Sequence, residues 1–190
     1  EETGMTGANA LEPGVLKGDI LINMDSETEG ELYVGCAGGI DTCGYFTPKF
    51  EDVPAGSKAF QLIVKGLKGG HSGMDIILGR ANANKVMNAL LLKATEKFNA
   101  RVADIQGGSL RNAIPRESFV TITVPEAKAE ELLAYVPEFE AVVKEQFAAV
   151  EPEMSITVVP AEMPAKVIDK QTIANLIEAV AKYPNGVIAM

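Results

Sequence analysis

Cysteine and histidine are scarce in this chain of 190 residues, which holds two cysteines, Cys36 and Cys43, and one histidine, His71. Two thiols are too few for a disulfide framework, and with one imidazole they do not make a four-ligand zinc site. A reduced, cytoplasmic setting fits that usage. Clustered Lys and Arg are also lacking, and the formal net charge is −9. The chain therefore offers no basic surface to nucleic acid or to anionic membranes, and neither is expected as a partner. No apolar run approaches the roughly 18 to 20 residues that a membrane span needs. The opening Glu1-Glu2-Thr3-Gly4 has neither the basic nor the apolar region of a signal peptide. It also has no initiating methionine, from which we expect the chain to be cut from something longer. Internal repeats and low-complexity tracts are missing too. What remains is 47% hydrophobic content, enough for one good core, or one core plus flanking pieces of another.

Residues 1 to 18 are glycine-rich and polar, and Asp19-Ile20-Leu21-Ile22-Asn23-Met24 is a short apolar run of the kind that forms a strand buried on both faces. Glycines and prolines over residues 35 to 56 read as a connector, so the domain boundary is placed there. The pattern then becomes regular. Ala59 to Gly66 reads as a strand, and Ile76, Ile77, Val86, Met87, Leu90, Leu91, Ala94 and Phe98 form the apolar stripe of a long helix. Arg101 to Gln106 and Ser118 to Val124 read as strands. Glu126 to Val150 reads as a helix with Leu132, Leu133, Val136, Phe139, Val143 and Phe147 inward and a kink at Pro137. Met154 to Val159 completes the set as a strand, Lys170 to Lys182 as a helix, and Val187 to Met190 as a last strand.

The order β-α-β-β-α-β is the split arrangement of the ferredoxin-like fold, an α+β class in which two helices pack on one face of a four-stranded antiparallel sheet. The expected organisation is residues 1–38 as part of an α/β domain, 39–56 as connector, 57–160 as the ferredoxin-like domain and 161–190 as its truncated continuation.

Several places carry chemistry-bearing side chains. The adjacent acids Glu1 and Glu2 suit a metal ligand beside a carboxylate that polarises a bound water, and two solvated acids at a frayed terminus are the plainer reading. Asp25 follows the apolar strand directly, where α/β enzymes place ligands, although a polar turn explains it as well. His71 stands in Gly69-Gly70-His71-Ser72-Gly73, where glycines allow a ligand close approach. A lone histidine is otherwise more often structural, and a phosphate loop would need a Lys-Ser/Thr ending that is missing. Arg111-Asn112-Ala113-Ile114-Pro115-Arg116 offers an amide and two guanidinium groups for a substrate carboxylate, or a turn capped by Asn112.

Taken in order, Glu1-Glu2-Thr3-Gly4-Met5-Thr6-Gly7-Ala8, Asn23 to Glu27 with Glu31 to Gly39, Gly66 to Gly73 running into Gly79 to Lys85, and Asn112 to Arg116 resemble the aminoacyl-histidine dipeptidases. These are cytosolic di-zinc peptidases related to carboxypeptidase G and carnosinase. The likeness runs through nearly the whole chain. It implies a lid domain with a ferredoxin-like sheet, which often forms a homodimer contact, flanked by pieces of a catalytic domain.

By that resemblance Glu1 matches the general base, Glu2 a ligand of one zinc and Asp25 a ligand of the other. His71 matches a lid histidine that reaches the scissile carbonyl, and Asn112 a substrate-binding amide; Arg116 joins it as a candidate substrate-binding residue on its guanidinium alone. The resemblance also implies two further metal-binding histidines and a bridging aspartate that this chain does not have, and Ile77 stands where many members have a histidine. The expectation is a dipeptidase of Xaa-His substrates with two zinc ions, or other divalent metals, in the longer enzyme. The chain by itself is expected to be inactive and to hold no catalytic metal. The competing expectation is a non-enzymatic ferredoxin-like module for dimerisation or for binding a small effector, since fold alone does not choose.

Overall fold

The computed structural model describes residues 6–24, 28–35 and 38–189, which fall into two compact units, Glu1–Tyr45 and Phe46–Met190. In the first, the described residues hold one short helix, α1 (Thr6–Asn9), and no strand. The run from Asp19 to Met24 is not a strand: Ile20, Leu21, Ile22 and Met24 are all exposed. An apolar run becomes a buried strand only where neighbouring strands take up its amides and carbonyls, and no ladder reaches these residues.

The second unit contains β1 (Phe50–Asp52), β2 (Ser57–Lys65), β3 (Gly70–His71), a 3-10 turn (Ile76–Leu78), α2 (Ala83–Phe98), β4 (Arg101–Gly107), β5 (Ala113–Ile114), β6 (Ser118–Pro125), α3 (Glu126–Phe147), β7 (Ser155–Pro160), β8 (Lys166–Ile168) and α4 (Lys170–Lys182). Four strands form one antiparallel sheet in the order β4-β6-β2-β7. β2 pairs with β6 from Ser57 opposite Pro125 to Val64 opposite Ser118, and with β7 from Phe60 opposite Pro160 to Lys65 opposite Ser155. Because β6 is antiparallel to both β2 and β4, the latter two run parallel with β6 between them, and α2 is the crossover that joins them. α3 joins β6 to β7 in the same way across β2. This is the expected α+β sheet with its two helices.

Alternation decides which face is covered. Phe60, Leu62 and Val64 of β2 meet Ile122, Val120 and Ser118 of β6; all are buried, and all but Ser118 share one core with Met87, Leu90 and Leu91 of α2 and Leu132 and Val136 of α3. α4 adds Ile173 and Ile177 to that core from beside α2. The stretch read as connector supplies β1, which pairs with β8, and Arg101 of β4 donates to the Ile168 carbonyl at 3.1 Å and to the Glu51 carboxylate, tying this ribbon to the sheet edge.

Three local readings need correction. The helix before β4 starts at Ala83, not near Ile76. Gly79 takes a left-handed conformation (φ 66°) that stops the 3-10 turn, and Asn82 caps α2 by accepting the amides of Asn84 and Lys85 at 3.0 and 3.3 Å. Ile77 is consequently 66% exposed instead of part of a core stripe. Leu133 is 39% exposed, since it lies about 100° around α3 from buried Leu132. Val187 to Ala189 form no strand, having no ladder partner, and Met190 lies outside the described residues. α3 itself continues through Pro137. The amide that proline lacks would have bonded the Leu133 carbonyl, and both residues lie on the exposed side of the helix, where the carbonyl is open to solvent.

Candidate functional site

His71 is held by two short strands set apart from the main sheet. β3 pairs antiparallel with β5, Gly70 opposite Ile114 and His71 opposite Ala113, and the Ser72 amide donates to the Asn112 carbonyl at 2.9 Å. The structure thereby brings His71 and Asn112 together, although their positions are about forty residues apart in the sequence. Gly70 (φ 138°) is required here: a Cβ would come within 2.6 Å of both the Arg80 guanidinium and the Asp75 carboxylate. Those two side chains brace the loop. Arg80 donates to the Gly69 carbonyl at 2.6 Å and pairs with Asp75 at 3.7 Å, while Asp75 accepts the His71 amide at 2.8 Å.

The imidazole has a defined polarity. Its Nδ1 accepts the amides of Gly73 (3.0 Å) and Met74 (3.2 Å), so in the neutral ring the proton sits on Nε2. Nε2 has no partner among the described residues, and the side chain is exposed. The His71 ring therefore presents a hydrogen-bond donor to solvent. Asn112 is half-buried, and its side-chain amide makes no hydrogen bond among the described residues.

Arg116 stands at the edge of the same assembly. Its aliphatic stem lies over Gly69, where a Cβ would come within 2.2 Å of the Arg116 Cγ, and its guanidinium has no ion-pair partner among the described residues. With Lys68, Gln106, Ser109, Leu110 and Glu117 it lines a cavity of about 500 Å³ that carries two cationic side chains and one carboxylate. His71 and Asn112 do not line that cavity, so Arg116 faces different space from the imidazole. These segments offer donors: an Nε2–H and a carboxamide on the bonded loops of β3 and β5, and a guanidinium in separate space. The nearest acid, Asp75, is already committed to holding the loop, which leaves no described carboxylate beside His71 as a general base.

Glu1, Glu2 and Asp25 lie outside the described residues. Among the described residues no group of three or more His, Cys, Asp or Glu side chains is placed to hold a metal ion, and the single histidine uses Nδ1 internally. This part of the chain does not by itself fit a metal centre. Cys43 is a free, exposed thiol. No described helix is long and apolar enough to cross a membrane.

Glu151, Asp75 and Arg80 escaped the reading of the sequence. Asp75 and Arg80 flank the glycine loop, and an acid and a base on either side of a turn were a usable signal. Glu151 gave none, since its carboxylate is bonded to amides 83 and 70 residues away.

Comparison with known proteins gives this geometry a context. Residues 62–151, which run from β2 to just past α3, match the peptidase dimerisation domain. The chain is 42% identical over 188 residues to the cytosol non-specific dipeptidase of Escherichia coli, covering 99% of this chain and 39% of that enzyme. Among solved structures it is similar to the aminoacylhistidine dipeptidase of Vibrio alginolyticus, with a TM-score of 0.81 and 39% identity over 100% of this chain and 39% of that one. The chain thus spans about two fifths of the length of the relatives it matches. With identity at this level along its whole length and the fold shared as well, the chain is related to these two dipeptidases, and its residues 62–151 match a peptidase dimerisation domain.

Proposed function

We propose that the chain is the lid and dimerisation portion of a longer, cytoplasmic, zinc-dependent dipeptidase acting on Xaa-His substrates, and that its own part in the reaction is to grip the substrate and stabilise charge. The observation that carries this reading is the oriented imidazole. A ring whose Nδ1 is occupied by two backbone amides offers Nε2–H at fixed polarity, which is what a carbonyl oxygen gaining negative charge during peptide hydrolysis needs. Because the donor is already oriented, little reorganisation is left to the moment of reaction.

Asn112 adds a polar side chain on the segment bonded to the His71 loop, and the Arg116 guanidinium, with no ion-pair partner among the described residues, suits a substrate carboxylate held apart from the imidazole in a two-bonded fork. In this reading Glu1 is the general base, and Glu2 and Asp25 are ligands of the two zinc ions that supply the activated water in the longer enzyme. Residues 1–38 belong to the catalytic domain, 39–56 connect it, 57–160 form the lid and 161–190 continue it. The dimerisation match over residues 62–151 supports a homodimer formed through the lid.

The test compares two proteins. The 190-residue chain, purified free of host peptidases, is expected to hydrolyse no dipeptide; chelator-sensitive turnover by it would overturn the division of labour. In a chain that includes the rest of the catalytic domain, His71→Ala is expected to lower kcat by roughly 10²- to 10³-fold, the cost of losing one oxyanion donor. The same change should shift stability by about 1 kcal/mol or less, since the side chain is exposed and only neutral hydrogen bonds are lost. An equal loss of folding and turnover points to a structural histidine. If the complete chain binds no zinc and cleaves no Xaa-His dipeptide, the peptidase reading fails and the non-enzymatic module takes its place.

A further inference from the structure

The segment that carries His71 is closed at both ends by one buried carboxylate. Glu151, just beyond α3, is 1% exposed. Its Oε2 accepts the Lys68 amide at 2.8 Å and its Oε1 accepts the Ala81 amide at 3.0 Å. Apart from β5 and the Asn112 carbonyl, the groups that shape the imidazole lie between those two amides: β3, the Asp75 bond to the His71 amide, the Gly73 and Met74 amides on Nδ1, and Arg80. Neither Lys68 nor Ala81 belongs to a strand or helix. With no ladder to satisfy them, the two amides depend on the carboxylate, and a buried amide left without a partner is costly.

Glu151 is itself anchored to regular structure. Its amide donates to the Phe147 carbonyl at the end of α3, and its carbonyl accepts the Met154 amide one residue before β7. The carboxylate group is planar and rigid, so holding both loop ends on it fixes their separation relative to α3 and β7. A hydrophobic side chain would fill the same space without fixing that separation.

We infer that Glu151 is a positioning residue: it holds segment 68–81 closed so that the His71 ring keeps Nδ1 on the backbone amides and Nε2–H outward. The inference deepens the reading of His71 as the donor to substrate and rests on it for its functional meaning, although the positioning itself can be measured without any reaction.

Because His71 is the only histidine in the sequence, its two ring nitrogens give unambiguous signals in a uniformly 15N-labelled sample of the chain. With the ring neutral, the starting protein is expected to show Nε2–H with Nδ1 as acceptor. In Glu151→Gln, which keeps the reach but replaces one oxygen with a donor, hydrogen exchange at the Lys68 and Ala81 amides should accelerate roughly 10- to 100-fold. The two ring nitrogens should move toward values averaged between tautomers, while the β2 and β6 amides stay protected.

Accelerated exchange with an unmoved imidazole would overturn the inference by showing that Glu151 only packs, and unchanged exchange would overturn it as well. Should Glu151→Gln fail to fold, Glu151→Asp, which keeps the charge but shortens the reach, is read in the same way; failure of both to fold makes Glu151 a folding residue and overturns positioning. None of these signals requires dipeptide turnover, so a peptidase assay that fails leaves this inference standing, and an unmoved ring overturns it whatever that assay gives.

Discussion

The two units of this chain contain similar apolar runs with opposite fates. Ile20-Leu21-Ile22 in the first is exposed along its length, with Leu21 at 79%, whereas Leu62-Ile63-Val64 in the second sits in a paired strand with Leu62 at 0%. Hydrophobicity and β-propensity do not separate them. The difference is the company each keeps: β2 has β6 on one side and β7 on the other, while no strand in the described residues pairs with 19–24. A strand is a property of a sheet, and a run without sheet neighbours stays open however apolar it is. That contrast accords with the proposal that residues 1–38 belong to a domain completed by a longer chain.

The contrast is most easily broken by paired core substitutions. Leu62→Ala is expected to cost about 2 to 5 kcal/mol, the usual range for removing a fully buried leucine side chain. Leu21→Ala should change stability by no more than about 0.5 kcal/mol, as at an exposed site away from specific contacts. Urea unfolding of the two variants measures this directly, and comparable losses would mean that residues 19–24 are packed in solution.

A smaller effect, read kinetically, sharpens the same comparison. Limited proteolysis under native conditions is expected to cut within residues 6–45 at least roughly tenfold faster than within the β2–β7 sheet, because cleavage follows local opening and the described residues of the first unit are exposed and form no strand. Mass spectrometry of the early products identifies the sites. Cuts that begin in α2 or α3 would reverse the ranking.

Much of the second unit was legible because pattern and partners lay in the same stretch of chain. Ser118 to Val124 alternates cleanly and forms β6, Lys170 to Lys182 has a complete helical period with Asp169 as its cap, and both appear within a residue of where the pattern puts them. The errors occur where a short-range signal was outweighed. Ile76 and Ile77 continue the spacing of the α2 stripe, yet Gly79 and the Asn82 cap separate them from it, and both signals stood in the sequence. The site divides likewise. Glycine bracketing singled out His71, but the polarity of its ring follows from the turn at Gly73 and Met74, and the Glu151 clamp joins residues too distant for any local pattern to link.

The smallest expected effect lies within the second unit, at the seam where α4 begins. Asp169 accepts the Thr172 hydroxyl and amide and the Lys49 amide, so it caps α4 and holds the residues just before β1. Those bonds, the Thr172 hydroxyl first and then its amide, hold its carboxyl below the ordinary value of 3.8, against a smaller opposing effect of desolvation. The unfolded chain then takes up the proton at a higher pH than the folded one. The cap's contribution is accordingly full above about pH 3.8 and is lost as the pH falls through the lower folded value. Asp169→Asn keeps a competent cap without that titration. The gap in stability between the two proteins should be steady near neutrality and shrink below pH 4, while other acids held low by a lysine, Glu126 and Glu178, titrate in both and cancel. Thermal melts at pH 6, 4 and 3 (about the span of the titration) follow that gap, and a gap that stays constant into acid would show that the α4 cap does not depend on the charge of Asp169.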